Sequence, residues 1–166
     1  MTGIAETAYK RNIMKLPIRL CLILCTSIAF VGCASGPSFA EYSAKQKPPA
    51  PGQGRIWFYR PSKIVGVAVQ PAVMLNNTKI GKAQPGCFFM VDRAAGSYEA
   101  KCTTEWIHKT NFTLAAKEEK FMCLSLFPGL FVGHIVPSAV DRATGLREIA
   151  ACKLITADGA NADVAR

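Results

Sequence analysis

The chain has 166 residues, half of them apolar and 19% charged, with 13 Gly, 10 Pro and 7 Cys; Lys and Arg number 20 against 11 Asp and Glu, a formal net charge of +9. That length holds one ordinary domain with some sequence to spare, and the composition excludes a disordered, collagen-like or polytopic membrane protein. Seven cysteines are many for a chain of this size in a reducing cytosol.

Met14-Lys15-Leu16-Pro17-Ile18-Arg19 is a short cationic head, followed over residues 20–30 by an apolar run of eleven. A spanning helix needs about 17–25 apolar residues and a signal-peptide core about 7–15, so residues 1–32 read as a cleaved leader. Met1 and Met14 are both acceptable starts of that leader. The run ends in Phe30-Val31-Gly32-Cys33, which resembles a bacterial lipobox. Small residues before the cut let the peptidase close on the chain, and the Cys33 sulfur takes up a diacylglyceryl group as a thioether. Phe30 stands where Leu is usual. The competing reading is plain secretion to the periplasm after cleavage behind Ser38-Phe39-Ala40. Cys21 and Cys25 fall inside the leader.

Residues 33–54 are rich in Pro, Gly, Ser and Ala with no apolar period, and read as the lipidated cysteine and a flexible tether with polyproline-like stretches. Loss of residues 1–32 leaves 16 basic and 10 acidic residues, net +6, with no two basic residues adjacent. Nucleic-acid binders gather Lys and Arg into a stripe with aromatics, so no nucleic-acid partner is expected. A solvated surface, or a mildly basic face toward anionic lipid or cell-wall polymer, fits the charge instead.

From residue 55 to about 155 short β-like runs alternate with turn signals. Arg55-Ile56-Trp57-Phe58-Tyr59-Arg60 stops at Pro61, and Ala72-Val73-Met74-Leu75 turns at Asn76-Asn77 into Lys79-Ile80-Gly81-Lys82. Cys87-Phe88-Phe89-Met90-Val91 follows Pro85-Gly86, and Tyr98-Glu99-Ala100-Lys101-Cys102 alternates apolar with charged. Phe112-Thr113-Leu114 and residues 121–127 flank the charged turn Lys117-Glu118-Glu119-Lys120. Residues 121–136 are almost wholly apolar but broken by Pro128, Gly129 and Gly133; they read as a buried strand and then a glycine-broken loop, the best candidate for a partner or membrane contact if exposed. Residues 149–154 fit either a last strand or a short helix, and 156–166 a disordered tail. The pattern predicts an all-β fold, a small antiparallel β-sandwich of roughly seven strands.

Residues 55–62, Phe88-Phe89-Met90-Val91-Asp92, Ala95-Gly96-Ser97-Tyr98, Val140-Asp141-Arg142-Ala143-Thr144-Gly145 and Glu148-Ile149-Ala150-Ala151-Cys152 together resemble a family of bacterial lipoproteins known as domain of unknown function 2846. The resemblance covers residues 54 to about 153 and implies a β-sandwich in an envelope lipoprotein, with no established activity and no catalytic residues. It also implies a Gram-negative envelope, in which the residue after the lipidated cysteine resembles a sorting signal. Ala34 rather than Asp in that place implies the outer membrane, with the domain on its periplasmic face. Cys87, Cys102 and Cys123 depart from the family pattern.

Chemistry is sparse. His108 and His134 are the two histidines, and neither GxSxG nor HExxH occurs. Asp92, Glu99, Glu105, Asp141 and Glu148 read as surface carboxylates. No catalytic residue, cofactor or metal ligand is expected. Cys87, Cys102, Cys123 and Cys152 have no CxxC spacing and, in an oxidising envelope, suggest two disulfides. If a hairpin turns about residues 92–97, Cys87 faces Cys102 and leaves Cys123 for Cys152; if that turn changes sheets, Cys102 is free to reach Cys123. The expected function is a lipid-anchored, non-enzymatic binding or structural module, its partner the membrane through Cys33 and an envelope protein or cell-wall polymer. The alternatives are a carrier for a small apolar or lipid ligand, prompted by Trp57, Phe58, Tyr59, Phe88, Phe89 and Phe131, and an envelope hydrolase using His108 or His134.

Overall fold

Gln53–Arg60 form strand β1, and from Gly54 onward every residue of it is buried. A strand buried on both faces must be covered twice. A computed structural model describes residues 36–104, 107–129 and 133–155, all within one compact unit. Phe30, Val31, Gly32, Cys33, Ala34, Glu105, Trp106, Phe131 and the tail 156–166 lie outside the described residues. After β1 come β2 (Ala72–Leu75), β3 (Thr78–Lys82), β4 (Cys87–Ala94), β5 (Gly96–Cys102), β6 (His108–Leu114), β7 (Glu119–Phe127), β8 (His134–Val140) and β9 (Lys153–Leu154). Two short helices join them, α1 (Phe39–Ser43) and α2 (Arg142–Ile149). The strands build a five-stranded sheet in the order β8-β7-β1-β4-β9 and a four-stranded sheet in the order β3-β2-β5-β6.

The fold is an all-β sandwich. Its described residues hold nine strands, because the stretch expected as a loop after Phe127 returns as β8, paired Phe127↔His134 through Phe121↔Val140. Pro137 is tolerated there because β8 is an edge strand. The ambiguous stretch 149–154 begins on the last residue of α2, which Asp141 caps by accepting from Thr144 N at 3.0 Å, and ends as the strand β9; the rest of α2 precedes it. Pairing is not wholly antiparallel. β6 ends at the same end of the sandwich where β1 begins, so the short crossing at residues 115–118 sends β7 up alongside β1 in parallel, and β9 lies parallel to β4.

The first core lies between the sheets and includes Ile56, Phe58, Phe89, Val91, Leu114, Met122, Leu124 and Ile135. The second lies on the outer face of the five-stranded sheet, where Trp57, Tyr59, Phe88, Met90 and Phe121 are covered by α1 and α2. Gly145 allows α2 to approach this closely: a Cβ there would stand 2.4 Å from Phe121 Cγ. The expected tether is therefore corrected at residues 36–43, which pack on the sheet, and at 53–54, which open β1. Phe39 packs edge-on against Trp57 at 5.0 Å and Phe88 at 5.6 Å, Ser38 bridges to Lys153, and Leu154 N donates to Pro37 O. Half-burying the Phe39 and Tyr42 rings against the second core outweighs what a Pro- and Gly-rich stretch gains by staying extended.

Candidate functional site

The sandwich has two unlike ends. At one, β1, β5 and β7 finish while β4, β6 and β8 begin; the described connecting residues 61–71, 83–86, 103–104, 107, 128–129 and 133 gather there. Arg60, at the tip of β1, organises this end. Only 3% exposed, its guanidinium donates to Val69 O, to Ala83 O at 2.7 Å and to Gly66 O at 2.9 Å. The charge is balanced by carbonyl dipoles, and burial pulls the pKa of the group below its ordinary value. Gly66, at φ +78°, presses against Leu126, where a Cβ would come within 2.3 Å of Cδ2. The loop 61–70 is thus pinned at its base, with Val69 packed against the first core and Ile64, Val65 and Val67 turned outward.

Ile64 is 95% exposed, Val65 75%, Val67 51%, Ile107 60% and Phe127 47%. These are the large exposed hydrophobic side chains among the described residues, and all five belong to this one end. They are connected. Ile107 precedes His108, whose ring stacks on His134 at 4.6 Å, and His134 stacks on Phe127 at 6.0 Å. Between Phe127 and the 61–70 loop lies a half-open cavity of about 390 Å³, lined by Lys63, Val65, Gly66, Leu126 and Pro128 among others. This end carries Lys63 and Lys82, with Lys109 paired to Glu99 and Glu148 accepting from Tyr59 beside Arg60, whereas at the opposite end Asp92, Glu118, Glu119 and Asp141 stand among Arg55, Arg93, Lys117, Lys120 and Arg142.

The residues singled out in the sequence are dispersed. His108 and His134 do meet, but as a stacked pair against Phe127, and His108 Nε2 is buried with no hydrogen-bond partner among the described residues. Asp92 holds Arg55 in a two-pronged bond at 2.7 Å, Glu99 pairs with Lys109 at 3.1 Å, and Asp141 caps α2. Glu148 accepts from Tyr59 Oη at 2.7 Å in the second core. Of the six aromatics that suggested a ligand pocket, Trp57, Phe58, Tyr59, Phe88 and Phe89 fill the two cores.

The disulfide expectation is corrected. Cys87, Cys102, Cys123 and Cys152 are all buried free thiols. Residues 94–96 carry the chain from one sheet to the other, so Cys87 pairs across from Arg60 while Cys102 lies opposite Val73 and His108. Cys123 belongs to the second core and Cys102 to the first, with the five-stranded sheet between them. Burial pushes the Cys102 thiol up to about 12 in spite of Arg60 nearby. Burial, with Cys87 and Cys123 adding to it, pushes Cys152 up to about 12 as well. Thiols held protonated are poor nucleophiles, so they are slow to oxidise.

Arg60 and the 61–70 loop were not picked out from sequence. The signal was present: Ile64, Val65, Val67, Ala68 and Val69 lie between Pro61 and Pro71 with no strand pattern to bury them. Compared with known family models, curated proteins and solved structures, the chain matches none.

Proposed function

We propose that this protein is a lipid-anchored binding module of the bacterial envelope, which uses the loop end of its sandwich as the contact surface. The gathering of five exposed apolar side chains at one end carries the reading, since a soluble domain rarely leaves such residues together without a use for them. The anchor rests on Cys33 closing the apolar run of the leader, and the outer-membrane address on Ala34 and on the resemblance to the envelope lipoprotein family. The packing of α1 supports cleavage at Cys33 over cleavage after Ala40. A chain beginning at Glu41 loses Phe39 from the second core and the Ser38–Lys153 bridge.

Two measurements test this. Mass spectrometry of the mature N-terminus is expected to show acylated Cys33, and an unmodified Glu41 terminus would remove the anchor. A photo-crosslinker at Val65 in living cells is expected to form adducts that the same group at Ala116, on the opposite end, does not. Silence at Val65 would remove the contact surface.

The cavity of about 390 Å³ beside Phe127 keeps a second reading, a carrier for a small apolar ligand. Native mass spectrometry of protein from its own cells tests it, and a bare mass would exclude it.

A further inference from the structure

Resting on the reading of the loop end as a contact surface, we infer that this end inserts into an anionic lipid surface, giving the domain a membrane contact of its own beside any lipid on Cys33. The shape of the patch argues for lipid. Ile64 and Val65 are adjacent on a loop, the first almost fully and the second three-quarters exposed, whereas a protein partner calls for a broad face with packing on all sides. Projecting aliphatic side chains need only a fluid apolar medium to enter, and the cost of leaving them in water is removed without shape matching.

Charge selects the kind of surface. Lys63 stands next to Ile64 and Lys82 closes β3 at the same end, while Lys109 is already paired with Glu99. Lysines near a bilayer reach back to the phosphates while the apolar tips go deeper, and anionic headgroups strengthen this. The loop is prepared for insertion, because Arg60 ties Gly66 and Val69 to the top of β1 and leaves little loop entropy to lose on binding.

The test uses the chain beginning at Ala34, which has no site for lipid. Every strand and both cores lie within it, so it folds without the leader. In flotation, it is expected to rise with vesicles of phosphatidylglycerol and phosphatidylethanolamine, to stay behind with phosphatidylcholine alone, and to be released by salt. Ile64→Ser with Val65→Ser is expected to weaken flotation about tenfold or more. Lys63→Gln weakens it less and reduces the salt effect, and Lys117→Gln at the far end changes nothing. An unchanged melting curve shows that the variants fold. No preference for the anionic vesicles, or binding that survives Ile64→Ser with Val65→Ser, overturns the inference. So does a dimer in sedimentation that the same variant abolishes, because the occupant is then a second copy. Absent flotation with a protein adduct from the Val65 crosslinker overturns the lipid assignment and leaves the contact surface standing; absent flotation and no adduct removes both.

Discussion

Arg60 shows how one buried charge sets a surface. Its three carbonyl partners come from two separate loops, at residues 66, 69 and 83. Leucine in its place fills the volume but leaves those carbonyls without donors, at about 1–3 kcal/mol for each that stays dry. Arg60→Leu is expected to lower stability by roughly 3 kcal/mol in urea unfolding, and hydrogen exchange over residues 61–70 should accelerate more than elsewhere. Arg60→Lys rescues only part, since an ammonium lacks the planar fork that reaches both loops. The thiols make the second prediction at this scale. In the chain from Ala34, Ellman's reagent at pH 8 should find no reactive thiol in the native protein and all of Cys87, Cys102, Cys123 and Cys152 after denaturation. Cys102 and Cys152 rise from an ordinary value of 9.0 to about 12 on folding. Their contribution is therefore whole below pH 9 and is lost as pH climbs from 9 to 12, where the unfolded chain ionises first. Cys102→Ala should flatten that alkaline decline, measured as urea midpoint against pH.

At the scale of elements, α1 and β8 are the instructive pair. The Pro- and Ala-rich composition around residues 34–54 points to a tether, yet Ser38 and Glu41 form a capping box, with Ser38 N donating to Glu41 Oε2 at 2.8 Å. Phe39 and Tyr42 are then one turn apart on a single face. Ser-x-x-Glu followed by that spacing was legible; what was not legible is the Trp57–Phe88 surface that receives it. Phe39→Ala should cost about 1–2 kcal/mol, less than a fully buried Phe because the ring is half exposed, and a chain starting at Glu41 should lose at least as much in a thermal melt. β8 escaped because Pro128, Gly129 and Gly133 read as breakers ahead of it; Pro137 within it is tolerated because an edge strand needs donors on one side only. The β1, β4 and β7 runs were legible as strands from their apolar residues. Their unbroken burial at Ile56–Phe58 and Phe88–Met90 also announces two covered faces, one more than a plain sandwich requires.

Across the whole molecule, β1, β4 and β7 are shared by both cores, so the helices cannot leave without exposing the sheet that the sandwich depends on. Strand signal in far-ultraviolet circular dichroism and aromatic signal in the near ultraviolet should accordingly fall in one coincident urea transition. Two separate transitions would mean that the α1 and α2 layer is an independent unit.

The sequence by itself determined the all-β sandwich and most of its strands, because alternation and turn residues are local properties of a chain. The tertiary structure alone decided the rest. Whether Cys87 meets Cys102 depends on which sheet receives β5, a choice made at residues 94–96 by packing and not by spacing. That Ile64, Val65, Val67, Ile107 and Phe127 form one end depends on five strands, far apart in sequence, running up and down in register. Contacts between distant segments are set by how two cores close on a shared sheet, and no local pattern encodes that closure.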